Sequence, residues 1–585
     1  MLRHIVEFAT KNIPGLQPGF GPKRVKWRID IDQSGNAVVQ PYGGNEYGGE
    51  LGKCPEYPSN LLQGGGKCHF LVETLQVMLL LLDKNDDPEK YRGKNQYFVE
   101  LLEMAAKGTP ELLKAVDFFK DSQQIELLGV QLAKQGAKPT DKAFFLISGM
   151  DPLKNATCLT WWSEFRSSLT SEGQGTASML CLLSGNNVIP ESTHPKISGL
   201  KAVGGRGQDV LVGFDKKAFE SFGLEQSSNC SMSEDAVNCY SKGLDFLIAN
   251  HSRMLAGAKV VHWFKEVIQK EDDPLWFLSE PPEVTESAAQ QSAREILSAL
   301  RKGQRLVPAN NRFYAMTVSG ASGRVMVRDW MEGSFEDLVA RIEQWFSDLE
   351  ITDQYDGKLA HAPKFNDVCI SLVRRDRDEK KSYLEILKRL PASTASTLWR
   401  VALAGLPIPQ PIIAQALVRF RADLMEDNPF NYARMGLIKA YFIRKEGDHQ
   451  MSAYLNKEHP EPAYQCGRLL AVLASLQKAA IPEVGAGVVQ RYYVAASQTP
   501  GLTIGRLMSN AKNHIGKIAS DRPRLASWFE DQIAEIMSRI EDYIPKTLNL
   551  DQQSLFALGY YQQIASRKDK VINDNNETTE KGDNQ

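Results

Sequence analysis

The chain has 585 residues, a formal net charge of −2 and 42% apolar residues. Such a length exceeds what one core supports, so several domains are expected. The near-neutral balance excludes a chain that is basic as a whole, and any nucleic-acid surface must be local.

The opening "MLRHIVEFATKN" is amphipathic, carries Glu7 and has no small-residue cleavage site, so it reads as a helix and not a signal peptide. In "RVKWRIDID", Val25, Trp27, Ile29 and Ile31 alternate with Lys26, Arg28, Asp30 and Asp32, the period of a strand with one buried face. A loop rich in Gly, Pro and Asn follows, ending in "YPSNLLQGGGK". The apolar stretch "FLVETLQVMLLLLD" reads as a buried helix, since with Glu73 it is too short and too polar for a membrane span. Three helical patterns then run to about 135.

Between 136 and 350 the texture is mixed. "KAFFLISG", "SMLCLLSG", "DVLVGF", "AKVVHWF", "RFYAMTVSG" and "RVMVRDW" read as strands, with helices "SEDAVNCYSKGLDFLIANHSRML" and "ESAAQQSAREILSALRK" between them. Ser233, followed by acids, is a capping signature. From "SFEDLVARIEQWFSDLE" onward helical patterns dominate, with Pro and Gly at the joints. The last residues are polar and read as a disordered tail. The expected class is α+β: a mixed α/β N-terminal part followed by an all-α helical bundle. The expected regions are 1–135, 136–350, 351–434, 435–568 and the tail 569–585.

Catalytic motifs are weak. "LLQGGGKC" is half a P-loop: Leu61 stands where the first glycine belongs and Cys68 replaces the magnesium-binding hydroxyl. "VGGRGQ" lacks dinucleotide-binding spacing. The S-x-x-K matches Ser198–Lys201 and Ser509–Lys512 come without partner motifs. His194 precedes Pro195 and has no evident carboxylate to orient it. The eight cysteines include no C-x-x-C or C-x-x-H pair, which gives no zinc spacing and fits a reducing cytoplasm. No catalytic residue, metal or cofactor is expected.

Binding signals are stronger. Arg301 to Arg328 contains no acid, and Arg312, Arg324 and Arg328 fall on its strands. Arg324 and Arg328 share one strand face, suited to bidentate phosphate contact or to covering acids of a neighbouring element. A second acid-free window, 484–520, holds Arg491, Arg506, Lys512 and Lys517 on helices, interleaved with Tyr492 and Tyr493. Such faces track a backbone without reading bases, or are simply solvated. The third place is Ser184 to Phe214, where Lys196, Lys201 and Arg206 surround a Gly-Gly-Arg-Gly turn. It reads as a binding and architectural loop.

The blocks "CLLSGNNVIPESTHPKISGL", "VLVGFDKKAFESFGLEQSSNCSMSEDAVNCYSKGLDFLI", "RFYAMTVSGASGRVMVRDW" and "YQCGRLLAVLASLQ … RYYVAASQTPG … FALGYYQQ" follow one another in an order that resembles the large subunit of type I-C CRISPR Cascade, as does "GFGPKRVKWRIDID" near the start. The resemblance spans about 1–568. It implies a non-catalytic, cytoplasmic subunit of an RNA-guided surveillance complex. Its implied partners are the CRISPR RNA, Cascade backbone subunits, a small subunit, target double-stranded DNA and a helicase-nuclease. The implied work is to read the protospacer-adjacent motif (PAM), help part the strands, hold the displaced strand and offer a landing surface. The helical C-terminal part resembles the small subunit, which the resemblance implies is also made from an internal start, for which Met435 and Met451 are placed.

On this reading Asn60, Gln63 and Lys67 in "PSNLLQGGGKCH" are the candidate PAM readers, since amides pair with adenine and lysine meets guanine or phosphate. Arg312, Arg324, Arg328, Lys196, Lys201 and Arg206 are assigned to nucleic-acid backbone. Arg491, Arg506, Lys512 and Lys517 are assigned to the displaced strand. Two other readings compete: a nucleotide- or metal-dependent nucleic-acid-processing enzyme, and a scaffold that does not touch DNA.

Overall fold

The computed structural model describes residues 1–580 apart from 14–15, 17–18, 45–46, 59–61, 63–65, 85, 172–177, 270–272, 279–294, 296–297, 299–309, 375–381, 426–430, 447–450, 484–486 and 541–542. The chain forms two compact units. One comprises Met1–Lys201, Gly205–Asn250 and Ser322–Val325; the other comprises Ala202–Gly204, His251–Ala321 and Met326–Gln585.

The first unit is mixed. Helix α1 (Leu2–Asn12) packs on α6 (Glu234–Asn250). The predicted strand over 25–32 divides at Lys26. Before it, β1 (Phe20–Val25) pairs antiparallel with β4 (Gly49–Pro55); after it, β2 (Trp27–Ile31) joins a four-stranded sheet. That sheet has the order β3-β2-β6-β5, with β3 at Ala37–Pro41, β5 at Glu73–Thr74 and β6 at Lys142–Ile147. β2 and β6 run parallel, with Ile29 opposite Phe145. The alternation expected of β2 is present: Trp27, Ile29 and Ile31 are buried, while Arg28 and Asp30 are half-buried. Helices α2 (Pro88–Ala106), α3 (Leu113–Lys120) and α4 (Ser122–Lys134) are the three expected before 135. Helix α5 (Ala156–Ser171) sends Trp162 into this core, where its indole N–H donates to Gly19 O at 2.9 Å.

Three expectations fail here, in whole or in part. "FLVETLQVMLLLLD" is buried but only Leu75–Met78 is helical. Its backbone is taken up by the sheet: Glu73 and Thr74 pair with β6, and Leu75 N donates to Asp141 O at 2.9 Å. An apolar run buried on every side has no face to select the helical period, so sheet hydrogen bonds decide. "DVLVGF" is likewise no strand: β10 (Gln208–Asp209) pairs with β9 (Ile197–Ser198), and beyond it only Val210 makes a bridge, to Arg324. Val210 N donates to Gly323 O and Val325 N donates to Val210 O, both at 2.9 Å. "SMLCLLSG" supplies only β7 (Met179–Leu180), paired with β8 (Asn187–Val188).

The second unit carries the sheet β11-β12-β13-β14, apart from Arg324 and Val325 at the start of β14, which belong to the first. Its strands are β11 (Ser252–Leu255), β12 (Ala258–Phe264), β13 (Arg312–Ala321) and β14 (Arg324–Ser334). β11 occupies the end of what reads in sequence as one long helix; Ser233 caps that helix as expected, accepting from Ala236 N at 3.2 Å. The helix expected in "ESAAQQSAREILSALRK" falls almost wholly outside the described residues. Helix α7 (Phe335–Leu349) begins at Ser334, whose hydroxyl accepts from Asp337 N at 3.0 Å.

Further helices follow: α8 (Ala392–Ala404), α9 (Gln410–Met425), α10 (Tyr432–Glu446), α11 (Pro462–Ala480), α12 (Val488–Gln498), α13 (Pro500–Ala519), α14 (Pro523–Ile540) and α15 (Leu550–Glu580). Helix α15 continues through 569–580, where a disordered tail is expected from composition. Helix α11 is the hub, touching α12, α13, α14 and α15. It meets α15 through two glycines: a Cβ on Gly467 would lie 2.0 Å from Phe556 O, and one on Gly559 would lie 2.2 Å from Tyr464 O. This close crossing buries a polar network. Arg468, 0% exposed, donates to both carboxylate oxygens of Glu535 at 3.2 and 2.8 Å, to Gln563 Oε1 at 2.9 Å and to Lys457 O at 3.2 Å.

Candidate nucleic-acid interface

Of the candidate PAM readers, Asn60 and Gln63 lie outside the described residues. Lys67 is described, and its Nζ sits 3.7 Å from the centroid of the Tyr97 ring. The Tyr97 hydroxyl is in turn 2.8 Å from that of Tyr57. The ammonium is held by an aromatic face and must leave it to reach a base or phosphate. Cys68, next in the chain, is a buried core residue whose thiol is pushed up by burial, so the position that would hold magnesium in a P-loop is sealed.

The hairpin arginines differ from one another. Arg324 donates through Nη2 to Asp215 Oδ1 at 2.7 Å and through Nη1 to Gly213 O at 3.3 Å, and its guanidinium lies 5.4 Å from the Phe219 centroid. This is the acid-covering arrangement, in which a loop of the same compact unit as Arg324 occupies the guanidinium. Arg328 is exposed and donates through Nε to Ser319 Oγ at 2.9 Å. Arg312 reaches Glu332 at 3.7 Å, a loose and exposed pair. Arg301, Lys302 and Arg305 of the same acid-free window lie outside the described residues.

In the 184–214 segment Lys196, Lys201 and Arg206 are all exposed. The Gly-Gly-Arg-Gly turn between them is structural. Gly204 and Gly207 have φ of 89° and 101°, a region that disfavours side chains, and a Cβ on Gly205 would meet Asp209 Oδ2 at 2.4 Å. Asp209, 0% exposed, accepts from Arg206 N at 3.0 Å and so fixes the turn from within.

Beside this turn lies a cleft of about 420 Å³ whose walls include His194, Lys196, Phe214, Asp215 and Gln226. His194 is buried, with Nδ1 2.6 Å from Tyr240 Oη. Burial brings its pKa down to about 4, so the ring is neutral at pH 7. Its hydrogen-bond partner is a phenol, not a serine. Past the cleft, a tight turn puts Phe222 and Gly223 at φ of 53° and 73°, with Phe222 wholly exposed.

Helices α12 and α13 carry the displaced-strand candidates. Arg491, Arg506, Lys512 and Lys517 are exposed, and none has an ion-pair partner among the described residues. On α13 the buried face is formed by Thr503, Ile504, Leu507, Ala511 and Ile518. Arg506 and Lys517, eleven residues apart, project within about 20° of each other and about 16 Å apart along the axis. Asn510 and Asn513 are exposed between them. Lys512 projects about 120° away, on the other edge of the solvent face. The helix therefore presents one basic line of two residues, with Lys512 apart from it.

The family model described as CRISPR-associated protein (Cas_Csd1) matches residues 6–568. The chain belongs to the Cas_Csd1 family. As a Cas_Csd1 protein it is a type I-C Cascade large subunit, a component of a complex with other Cas subunits and CRISPR RNA. No curated protein matches the chain. The Cas_Csd1 match covers the 59–67 loop, the cleft, the β13–β14 hairpin and α13, and it ends before the last turns of α15. Two features of this Cas_Csd1 chain escape sequence reasoning: the Asp215–Arg324 pair, whose partners are 109 residues apart, and the cleft around His194. A lone His before a Pro gives no hint of a buried Tyr partner 46 residues on.

Proposed function

We propose that this large subunit reads the PAM on double-stranded DNA, aids strand separation, holds the displaced strand and offers a surface to the helicase-nuclease, without catalysing a reaction itself. The observation that carries the reading is α13. It is a 20-residue helix in an acid-free window, with exposed cations free of protein partners among the described residues. Cations kept unpaired on one line suit a phosphate chain, since an ordinary surface intersperses acids. Lys67 and the glycine loop around it remain the choice for motif contact, with the Tyr97 face as the resting place of the ammonium.

The test is target-duplex binding by the reconstituted guide-loaded complex, with and without this chain, on DNA with a correct or scrambled flanking motif, at two salt concentrations. Tight binding that requires both chain and motif supports the reading. Arg506→Glu with Lys517→Glu then weakens binding and lowers the salt slope by about 1.4, at about 0.7 per single-strand phosphate. Equal binding without the chain, or indifference to the motif, removes the reader role.

A further inference from the structure

The tip of the turn past the cleft breaks three local rules at once. Ser221 and Leu224 form an antiparallel bridge, and Leu224 N donates to Ser221 O at 2.9 Å across the two-residue turn Phe222-Gly223. Both turn residues have positive φ, 53° and 73°, a conformation that Asn-Gly favours and a bulky side chain resists. Phe222 nevertheless occupies it, with its side chain wholly in water. Glu220 and Glu225 flank the bridge on its two sides, both exposed and neither with an ion-pair partner among the described residues. Like charges facing each other across a hairpin destabilise it.

A singly exposed apolar residue is ordinary. A phenylalanine that is fully exposed, strained in its backbone and set between two carboxylates is not. Asparagine at 222, or a cation at 220 or 225, would each suit the isolated chain better. Residues 215–223 are all exposed, so no described neighbour covers the ring. Phe219, 44% exposed, adds apolar surface three residues earlier.

The charges decide the class of partner. A base stacked on Phe222 would bring its phosphates toward Glu220 and Glu225, while the loop's own cations, Lys216 and Lys217, come six and five residues before the ring. A protein pocket carries no such conflict: apolar walls take the ring, and lysines or arginines on the rim take the carboxylates. Subunits that grip a guide RNA present such cations, and this chain is a component of a complex with other Cas subunits and CRISPR RNA.

We infer that the 220–225 hairpin tip docks on a guide-holding protein subunit of the complex, with Phe222 in an apolar pocket and Glu220 and Glu225 against Lys or Arg at its edge. The contact serves assembly and stands whether or not the chain reads the PAM.

In the experiment, the full chain is titrated into the guide-loaded complex assembled without it, with no target DNA present, at two salt concentrations. Phe222→Asn deletes the ring and keeps the turn, so its unfolding midpoint stays at or above that of wild type while its binding weakens by about tenfold to a hundredfold. Glu220→Lys with Glu225→Lys changes exposed positions only and also weakens binding; added salt, which loosens the wild-type contact, tightens that of this variant. The inference is overturned if Phe222→Asn joins the complex as wild type does. Should it then lose only target-duplex binding, the ring meets nucleic acid; should it lose only self-association of the free chain, the ring meets a second copy. Both results overturn the docking on a guide-holding subunit. A loss of motif-dependent binding with assembly intact removes no part of this contact, so the two readings fail separately.

Discussion

Replacing Gly467 by alanine tests the crossing of α11 and α15 directly. The added Cβ would stand 2.0 Å from Phe556 O and 2.9 Å from Tyr560 N. Both are backbone atoms, so no side chain can swing away. Ordinary contact begins near 3.4 Å, so the helices must part by more than 1 Å at this point. Overpacking of a well-filled core costs about 1–3 kcal/mol. The parting also lengthens the hydrogen bond from Arg468 Nε to Gln563 Oε1, now 2.9 Å, and loosens a guanidinium that is fully buried. Weakening a buried charged hydrogen bond adds about 1.5–3 kcal/mol. Against this, alanine gains about 1 kcal/mol in helix propensity over glycine. The expected net loss is about 1.5–5 kcal/mol. Urea unfolding followed by circular dichroism measures it on the full chain, and Gly559→Ala, 2.2 Å from Tyr464 O, should behave alike. A Gly467→Ala protein within about 0.5 kcal/mol of wild type would falsify the argument that these glycines set the crossing distance.

Glu191 is pushed up to about 7 by burial and by nearby Glu234, against the pull of Arg166. An acid whose folded pKa is raised favours folding below its unfolded value and loses that contribution as pH rises toward 7. Glu191→Gln should therefore leave stability near pH 4 unchanged and raise it at pH 8 by about 2–3 kcal/mol; an equal offset at both pH values in urea melts would refute this. Phe222→Asn creates the Asn-Gly pair preferred where both central residues have positive φ, and should raise the midpoint of unfolding by relieving about 1 kcal/mol of strain. Unchanged stability would show that the turn tolerates Phe222. A chain that begins at Met451 keeps Ser452 O, Ala453 O and Lys457 O, which accept from Gln562 and Arg468. One that begins inside α10 at Met435 starts on a residue buried in the full chain. A fragment from 451 should melt cooperatively, and one from 462, lacking those acceptors, should be weaker by about 1–3 kcal/mol for each group left unsatisfied; equal melting of the two would refute this role for 452–461.

The alternation in "WRIDI" and the strand–turn–strand grammar of "RFYAMTVSGASGRVMVRDW" could be read because each rests on neighbours in sequence. The buried run around Leu75 could not, since uniform burial erases the period. The exposed cations of α13 were legible from composition alone, but their division into an Arg506–Lys517 line and a separate Lys512 needed the helix register. The blocks that carry the family resemblance near the C-terminus prove to be packing grammar. Gly467 and Gly559 make room, and Arg468, Gln562 and Gln563 fill it with satisfied polar groups. At Arg324 the sequence offered two fates for a guanidinium, and a loop over a hundred residues away chose between them.

The pairing of Val210 with Gly323 and Val325 makes the first unit depend on a piece of chain that is translated much later. A polypeptide ended after Asn250 contains nearly all of that unit yet lacks Ser322–Val325. Its Val210 amide loses its acceptor and Arg324 no longer neutralises Asp215. During synthesis the loop around Val210 must wait for more than 110 further residues before its last bonds, to Gly323 and Val325, can close. A gene split at that joint would yield an amino-terminal product that stays unfinished until the β13–β14 turn is supplied in trans.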